Sequence, residues 1–330
     1  MPTGITGGTG FIGQHLVKRL LQEGQELRLL VRNSSCPGQL SNLPVEISRI
    51  DLQDLTSLER ALNGCDRLYH LAAYAKNWAP EKNTYFKINV RGFKNLLEAC
   101  LMAGVQRVVY VSSSVVSGPS QEKSVSELNT RQGFPFLTEY EESKARSEEI
   151  IPDFLARGLE VITARPTRVY GPGLMSEANS VTRLIRYYLK FRTCLVLSSG
   201  QQVGNYVYVD DIVEGLKLLM SAGRNGEAYI LGGENISLSG FYQTLREVSG
   251  RRALKIRIPV SLALAIARLE TWKAQTLGRY PLITEGWVKT FLQNWAASHQ
   301  KASRELGYQP RSLKEGLRLT CEWLGYRTAN

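Results

Sequence analysis

At 330 residues, 43% hydrophobic and 22% charged, the chain has the composition of a globular protein with room for one large or two medium domains and a sizeable core. Its five cysteines, Cys36, Cys65, Cys100, Cys194 and Cys321, are scattered and never in a C-x-x-C spacing, so neither a disulfide framework nor a zinc site is suggested and a reducing compartment fits. The net charge of +11 lies in the second half: residues 1–164 carry 18 Lys and Arg against 18 Asp and Glu, and residues 165–330 carry 23 against 12.

That basic bias can serve an anionic substrate, an acidic carrier or a membrane surface, or it can be a solvated face. No DNA- or RNA-module signature accompanies it, so nucleic acid is not an expected partner. Met1 leads straight into a Gly-rich strand-and-turn pattern without the basic and apolar regions of a signal peptide, and a cytoplasmic location is expected.

In chain order, β-branched runs predict strands at 3–6, 26–31, 45–50, 67–70, 107–112, 160–164 and 228–231. Apolar residues at helical spacing predict helices over 11–23 (Ile12, Leu16, Leu20, Leu21) and 90–103 (Phe93, Leu96, Leu97, Leu101). Strands alternating with helices indicate an α/β fold, a doubly wound parallel sheet of the Rossmann kind. From 174 to 204 the chain makes an excursion, returning as strand and helix over 205–220; further helices are expected at 238–249, 260–272 and 283–294. The domains expected are therefore 1–173 with 205–232 for a dinucleotide, and 174–204 with 233–330 as a smaller, mostly helical, discontinuous substrate domain. The apolar stretch 259–267 is far shorter than the roughly 20 residues that span a bilayer. It reads as a buried helix, with a membrane-surface helix as the competing reading.

Gly7-Gly8-Thr9-Gly10-Phe11-Ile12-Gly13 follows the first strand and opens the first helix. There the early glycines permit a tight turn and close approach of backbone to a pyrophosphate, Gly13 permits close helix packing, and the helix N-terminus offers N–H groups to the anion. The second strand ends in Val31-Arg32-Asn33-Ser34-Ser35, with an arginine where an NAD site usually places a carboxylate. Arg32 suits a 2′-phosphate and favours NADP, with NAD still possible. Asp51 and Leu52 follow the third strand, placed to meet the adenine. Tyr140 and Lys144 stand four residues apart, on one helix face, where a cation can stabilise phenolate and bring a phenol into proton-transfer range.

Together with Leu71-Ala72-Ala73 after the fourth strand, the serine run after the fifth, Arg165-Pro166-Thr167-Arg168-Val169-Tyr170-Gly171-Pro172-Gly173 and Tyr206–Asp211, these motifs resemble the extended short-chain dehydrogenase/reductase superfamily over nearly the whole chain. The resemblance implies catalytic Ser113, Tyr140 and Lys144, the serine being chosen by its place five residues before Gly118, with its neighbours competing. It implies cofactor contacts from Gly7, Gly10, Phe11, Ile12, Gly13, Leu71, Ala72, Ala73, Ser112, Tyr140, Lys144 (on the nicotinamide ribose hydroxyls), Pro166, Thr167 and Val169, and support from Asn89, for which a helix-cap role competes. Ser114, Arg183 and Arg186 are substrate candidates. The histidines His15, His70 and His299 are dispersed, so no metal is expected; a homodimer is expected only because dimers are common in the superfamily.

Lys301-Ala302-x-x-Glu305-Leu306-Gly307-Tyr308-x-Pro310 is similar to the dihydroflavonol reductase and 3β-hydroxysteroid dehydrogenase branch, and Asn205–Asp211 with Leu231–Asn235 to the hopanoid-associated sugar epimerases. The expected activity is an NADPH-dependent reductase of a ketone or aldehyde on a small organic or lipid-like substrate. Nucleotide-sugar epimerase or dehydratase chemistry with tightly bound NAD is the alternative, and a non-enzymatic dinucleotide sensor or scaffold the third.

Overall fold

The computed structural model describes residues 1–34, 38–81, 83–121, 123–129, 131 and 133–328; Ser35 and Cys36 of the sequence analysis lie outside them. The first half runs β1 (Thr3–Thr6), α1 (Phe11–Gln22), β2 (Leu27–Arg32), β3 (Glu46–Ile50), α2 (Leu55–Leu62), β4 (Arg67–His70), α3 (Gly92–Ala103), β5 (Arg107–Val111), α4 (Glu139–Glu149), α5 (Ile151–Leu155) and β6 (Glu160–Pro166). The second runs β7 (Arg168–Tyr170), α6 (Ser180–Phe191), β8 (Thr193–Leu197), β9 (Val203–Tyr208), α7 (Val209–Ala222), β10 (Ala228–Leu231), β11 (Glu234–Ser237), α8 (Leu238–Ser249), β12 (Leu254–Ile258), α9 (Val260–Leu277), α10 (Glu285–Phe291), α11 (Gln300–Leu306) and α12 (Leu313–Trp323).

Seven strands form one parallel sheet in the order β10-β6-β5-β4-β1-β2-β3. Alternate side chains enter opposite layers, as a sheet covered on both faces requires. Leu29, Val109 and Ile162 join a cluster with Leu16 and Leu20 of α1, whereas Leu30, Val108 and Val161 join one with Leu58 of α2 and Phe93 and Leu97 of α3. The Asp54 carboxylate caps α2 by accepting from the Thr56 and Ser57 amides, and α3 stops at Gly104, which takes the left-handed conformation a C-terminal cap needs.

The excursion after Gly173 is ordered structure. Its strand β8 pairs in parallel with β12, and α6 packs Ile185 and Leu189 into the cluster that holds α1, α7, α8 and α12. β9 lies between β7 and β11 in a three-stranded sheet. Cys65, Cys100, Cys194 and Cys321 are buried and free.

The segment expected as a buried helix behaves differently. α9 buries Ala263, Ala267 and Ala274 and packs Leu264 partly inward, while Leu262 (52% exposed), Leu269 (50%) and Trp272 (57%) face out. Alanines let the helix approach Val288 of α10 closely, and the larger side chains are left on the far face. Among the described residues no helix is long and apolar enough to cross a membrane.

The first turn of α1 meets the loop after β1 through backbone: a Cβ on Gly13 would collide with the Gly7 carbonyl. Gly13→Ala is expected to lower stability by about 1–3 kcal/mol as backbone shifts to make room. A urea midpoint unchanged from wild type would show that the loop yields at no cost.

Candidate active site

Order reverses at β1: the chain proceeds to β2 and β3 on one side, then returns to place β4 on the other. A crevice opens at such a point beyond the carboxyl ends of the strands, and the loops after β1 and β4 border it. Gly7 has φ of +72°, and a side chain there would come within 2.6 Å of the Ala72 amide nitrogen, so the two loops touch through backbone alone. The Thr6 hydroxyl, which accepts from the Ala72 amide at 3.3 Å, lies 2.6 Å from His70 Nδ1 and ties the strand ends together. Burial drives His70 down to about 3, with the Lys144 charge a lesser cause, so its ring is neutral and acts as structure.

Helix α1 begins at Gly10, where no side chain caps the first turn and no acidic residue stands in it. A cleft of about 440 Å³ passes this uncapped end and is lined by Gly7, Gly10, Phe11, Ile12 and Gly13. A helix N-terminus left open beside a cavity suits an anion, and the loop fits a pyrophosphate.

The same cleft is lined by Leu71, Ala73, Ser112, Ser113, Tyr140, Lys144, Pro166, Thr167 and Val169, so residues scattered over the chain meet in one place. The Thr138 hydroxyl accepts from the Glu141 amide and caps α4, which carries Tyr140 and Lys144. Lys144 is 2% exposed; its Nζ donates to the Val111 carbonyl at 2.8 Å and to the Tyr110 hydroxyl at 3.3 Å, and lies 4.8 Å from the Tyr110 ring centre. Burial pulls its ammonium down to about 7, against a weaker opposing pull from Glu148. Tyr140 is pushed up to about 12 by burial, offset by a hydrogen bond with the Ser113 side chain. The expected ammonium-assisted phenol thus takes another form, with Lys144 tied to β5 and the serine touching the phenol.

Asn89 is buried in a wide helical turn, Phe86–Arg91, and is not a cap. Its carboxamide accepts from the Tyr74 amide at 2.7 Å and donates to the Tyr74 carbonyl at 3.2 Å and to Ser143 Oγ at 2.9 Å, fastening the segment after β4 to α4. Arg32 ends β2, exposed, and Arg49 of β3 donates to the Arg32 and Asn33 carbonyls at 3.0 and 3.4 Å, which brings a second guanidinium-bearing residue to this corner. The Asp51 carboxylate accepts from the Gln53 amide at 2.9 Å; Leu52 is buried and packs beside Gly92. Neither of these, nor Ala72, Asn89 or Ser114, lines the main cleft. Arg183 and Arg186 line an adjoining cleft of about 770 Å³ with Lys76 and Lys190, and the two clefts share Ala73 and Ser176.

Several groups were invisible to spacing. Glu141, beside Tyr140, is buried; it accepts from Arg131 and the Leu137 amide at 3.1 Å each, and from the Thr290 hydroxyl at 3.3 Å. It joins α4 to α10 across 149 residues of sequence. The Asn205 carboxamide is spent entirely inside the protein, accepting from Thr167 and Gly233 and donating to Gly233, Asn235 and Ala297. The Arg168 guanidinium lies 5.0 Å from the Phe291 ring centre and 5.7 Å from that of Tyr206, at the cleft wall.

Known proteins share this fold. The model of the NAD dependent epimerase/dehydratase family matches residues 4–232. A putative dihydroflavonol 4-reductase of Synechocystis is 32% identical, covering 97% of this chain and 93% of that one, and sterol demethylase protein B of Methylococcus capsulatus is 30% identical over 99% of each. The crystal structure of a UDP-glucose 4-epimerase from Thermotoga maritima with UDP-glucose superposes with a TM-score of 0.80 at 25% identity, covering 98% of this chain and 99% of that one. The chain belongs to the NAD-dependent epimerase/dehydratase family and is an NAD(P)-dependent oxidoreductase of the extended short-chain dehydrogenase/reductase type.

Proposed function

We propose that the protein is an NADPH-dependent reductase of a ketone or aldehyde carried by a small organic or lipid-like molecule. The observation that carries this reading is the Ser113–Tyr140 pair, a phenol held in its protonated form and aimed into a cleft whose walls include Phe11, Leu174, Val181 and Trp287. What the bound dinucleotide supplies is a hydride to the carbonyl carbon. The Tyr140 hydroxyl gives its proton to the carbonyl oxygen, and the Ser113 hydroxyl positions that oxygen, so the product is an alcohol. Lys144 fastens α4 to the end of β5, two residues before Ser113, and so fixes the serine against the tyrosine. When protonated it also favours the phenolate left after transfer. Arg32, with Arg49 beside it, supports recognition of a 2′-phosphate. The named reductases among the relatives, including a ketoreductase of Stigmatella aurantiaca at 28% identity, support the same class.

A nucleotide-sugar epimerase or dehydratase is the second reading, favoured by Arg183, Arg186, Lys190 and Lys76 around the adjoining cleft. Against it stands Asn205, whose carboxamide is already occupied where a diphosphate-gripping arginine would be wanted. Denaturing the purified protein and identifying the released nucleotide separates the two. Exchangeable NADPH is expected, and stoichiometric NAD+ would replace the reductase with the epimerase.

Tyr140→Phe is expected to lower carbonyl reduction by about 10²- to 10⁴-fold with dinucleotide binding retained. An active variant would remove the phenol from proton transfer. Arg32→Asp should cut the NADPH-over-NADH preference in kcat/KM by about 10- to 100-fold, the worth of a charge-assisted contact; an unaltered ratio would place the 2′-phosphate elsewhere.

Lys144 also makes a stability prediction. Its ammonium releases its proton near 7 in the folded chain, against an ordinary 10.5, so from pH 7 to 10.5 the unfolded state binds the extra proton and this group's contribution to stability rises with pH. Below 7 both states are protonated and the contribution is flat. Without nucleotide, the stability of wild type relative to Lys144→Met should climb by about 1.4 kcal/mol per pH unit above neutrality in urea titrations. A constant difference would mean that the amine keeps its proton.

A further inference from the structure

The outward face of α9 is unlike the rest of the surface. Leu262, Ile266, Leu269 and Trp272 follow one another at intervals of four, three and three residues, so they form one stripe along the helix, and all are exposed. Just upstream, Leu254 and Ile256 of β12 are exposed as well, and so are Leu277 at the last position of the helix and Leu282 beyond it. A contiguous apolar face of this kind marks a contact surface. Its surroundings are cationic: residues 251–280 contain seven Lys or Arg and a single acidic residue, Glu270. Arg252, Lys255, Arg257 and Arg279 of that set are exposed, and Arg268, also exposed, pairs with Glu285 at 2.6 Å.

We propose that this face docks on the surface of an anionic lipid bilayer, with the α9 stripe in the headgroup boundary and the flanking arginines and lysines against lipid phosphates. Two observations choose lipid over a second copy of the chain. A twofold pairing of the face would set two cationic rims against each other, whereas anionic headgroups neutralise them. The apolar stripe is a single helical ridge lying on the protein, the form an interfacial helix takes, and α9 is not apolar enough to cross.

The site lies close by. Trp272 belongs to the stripe and to the wall of a groove of about 600 Å³, which shares Asn77, Tyr85, Thr138 and Thr284 with the catalytic cleft. On the lipid-like substrate proposed above, and resting on it, a carbonyl compound dissolved in the bilayer would reach the cleft along this groove without crossing water.

Co-sedimentation of the full chain with vesicles tests the docking independently of any turnover. Vesicles containing roughly one third phosphatidylglycerol should pellet the protein, and pure phosphatidylcholine should not. Raising salt from about 0.1 M to about 0.5 M should weaken binding. The variant Leu262→Glu/Leu269→Glu, whose changes lie on exposed positions outside the cleft, should bind at least about tenfold less while keeping the wild-type circular dichroism and thermal midpoint. The proposal is overturned if wild type stays in the supernatant with both vesicle types, if it binds both equally, or if the variant pellets like wild type. It is overturned equally by sedimentation velocity that shows a wild-type dimer which the double substitution splits, without vesicle binding; the face then belongs to a second copy.

Discussion

The carbonyl of Gly7 occupies the space any side chain on Gly13 would need, and it also accepts from the Gly10 amide at 2.9 Å. This backbone contact sets how closely α1 approaches β1, and through it where the uncapped first turn of the helix faces. On the other side, Gly7 lies against Leu71 and Ala72, so the loop is trapped between its own helix and the end of β4. The floor of the cleft is therefore main chain, which presents amide donors without the entropy or charge of side chains. Everything else in the site is arranged around that floor.

Electrostatics above it are governed by loss of water. Lys144 has a strand carbonyl and a tyrosine in place of solvent, and its ammonium is weakened; the half-buried Tyr140 phenol holds its proton more tightly. Both shifts favour the neutral forms, and the Tyr140 phenol keeps its proton beside Ser113. The neighbouring Glu141 is held by Arg131, Leu137 and Thr290, so its charge is committed to fastening α10 over the cleft and is balanced by the Arg131 guanidinium.

The second half of the chain meets the first through one continuous apolar cluster, in which Ile185 and Leu189 of α6, Phe241 of α8 and Leu317 of α12 share partners with α1 and α7. α9 stands apart, joined through a small cluster of Ala263, Ala267 and Val288. Its packing by alanines explains both its close fit and its exposed leucines: small residues win the inner face because they allow the shortest approach, and bulk is displaced outward.

Much of this was legible in the sequence, because it rests on local periodicity. Runs of β-branched residues located all seven sheet strands to within about two residues, since a strand buried on both faces is apolar along its length. The glycine spacing located the loop, since only residues without a Cβ tolerate such contacts, and the four-position spacing of Tyr140 and Lys144 placed both on one helix face. What the sequence could not carry was anything decided by distant neighbours. Which way Lys144 points was set by Val111, which hydroxyl touches Tyr140 by the turn after β5, and the occupancy of the Asn205 carboxamide by groups up to 92 residues away. The same holds for α9, where apolar content alone suggested burial. Period and composition fix the element and its faces, but which face is desolvated depends on the surface brought against it, and that is a property of the folded chain.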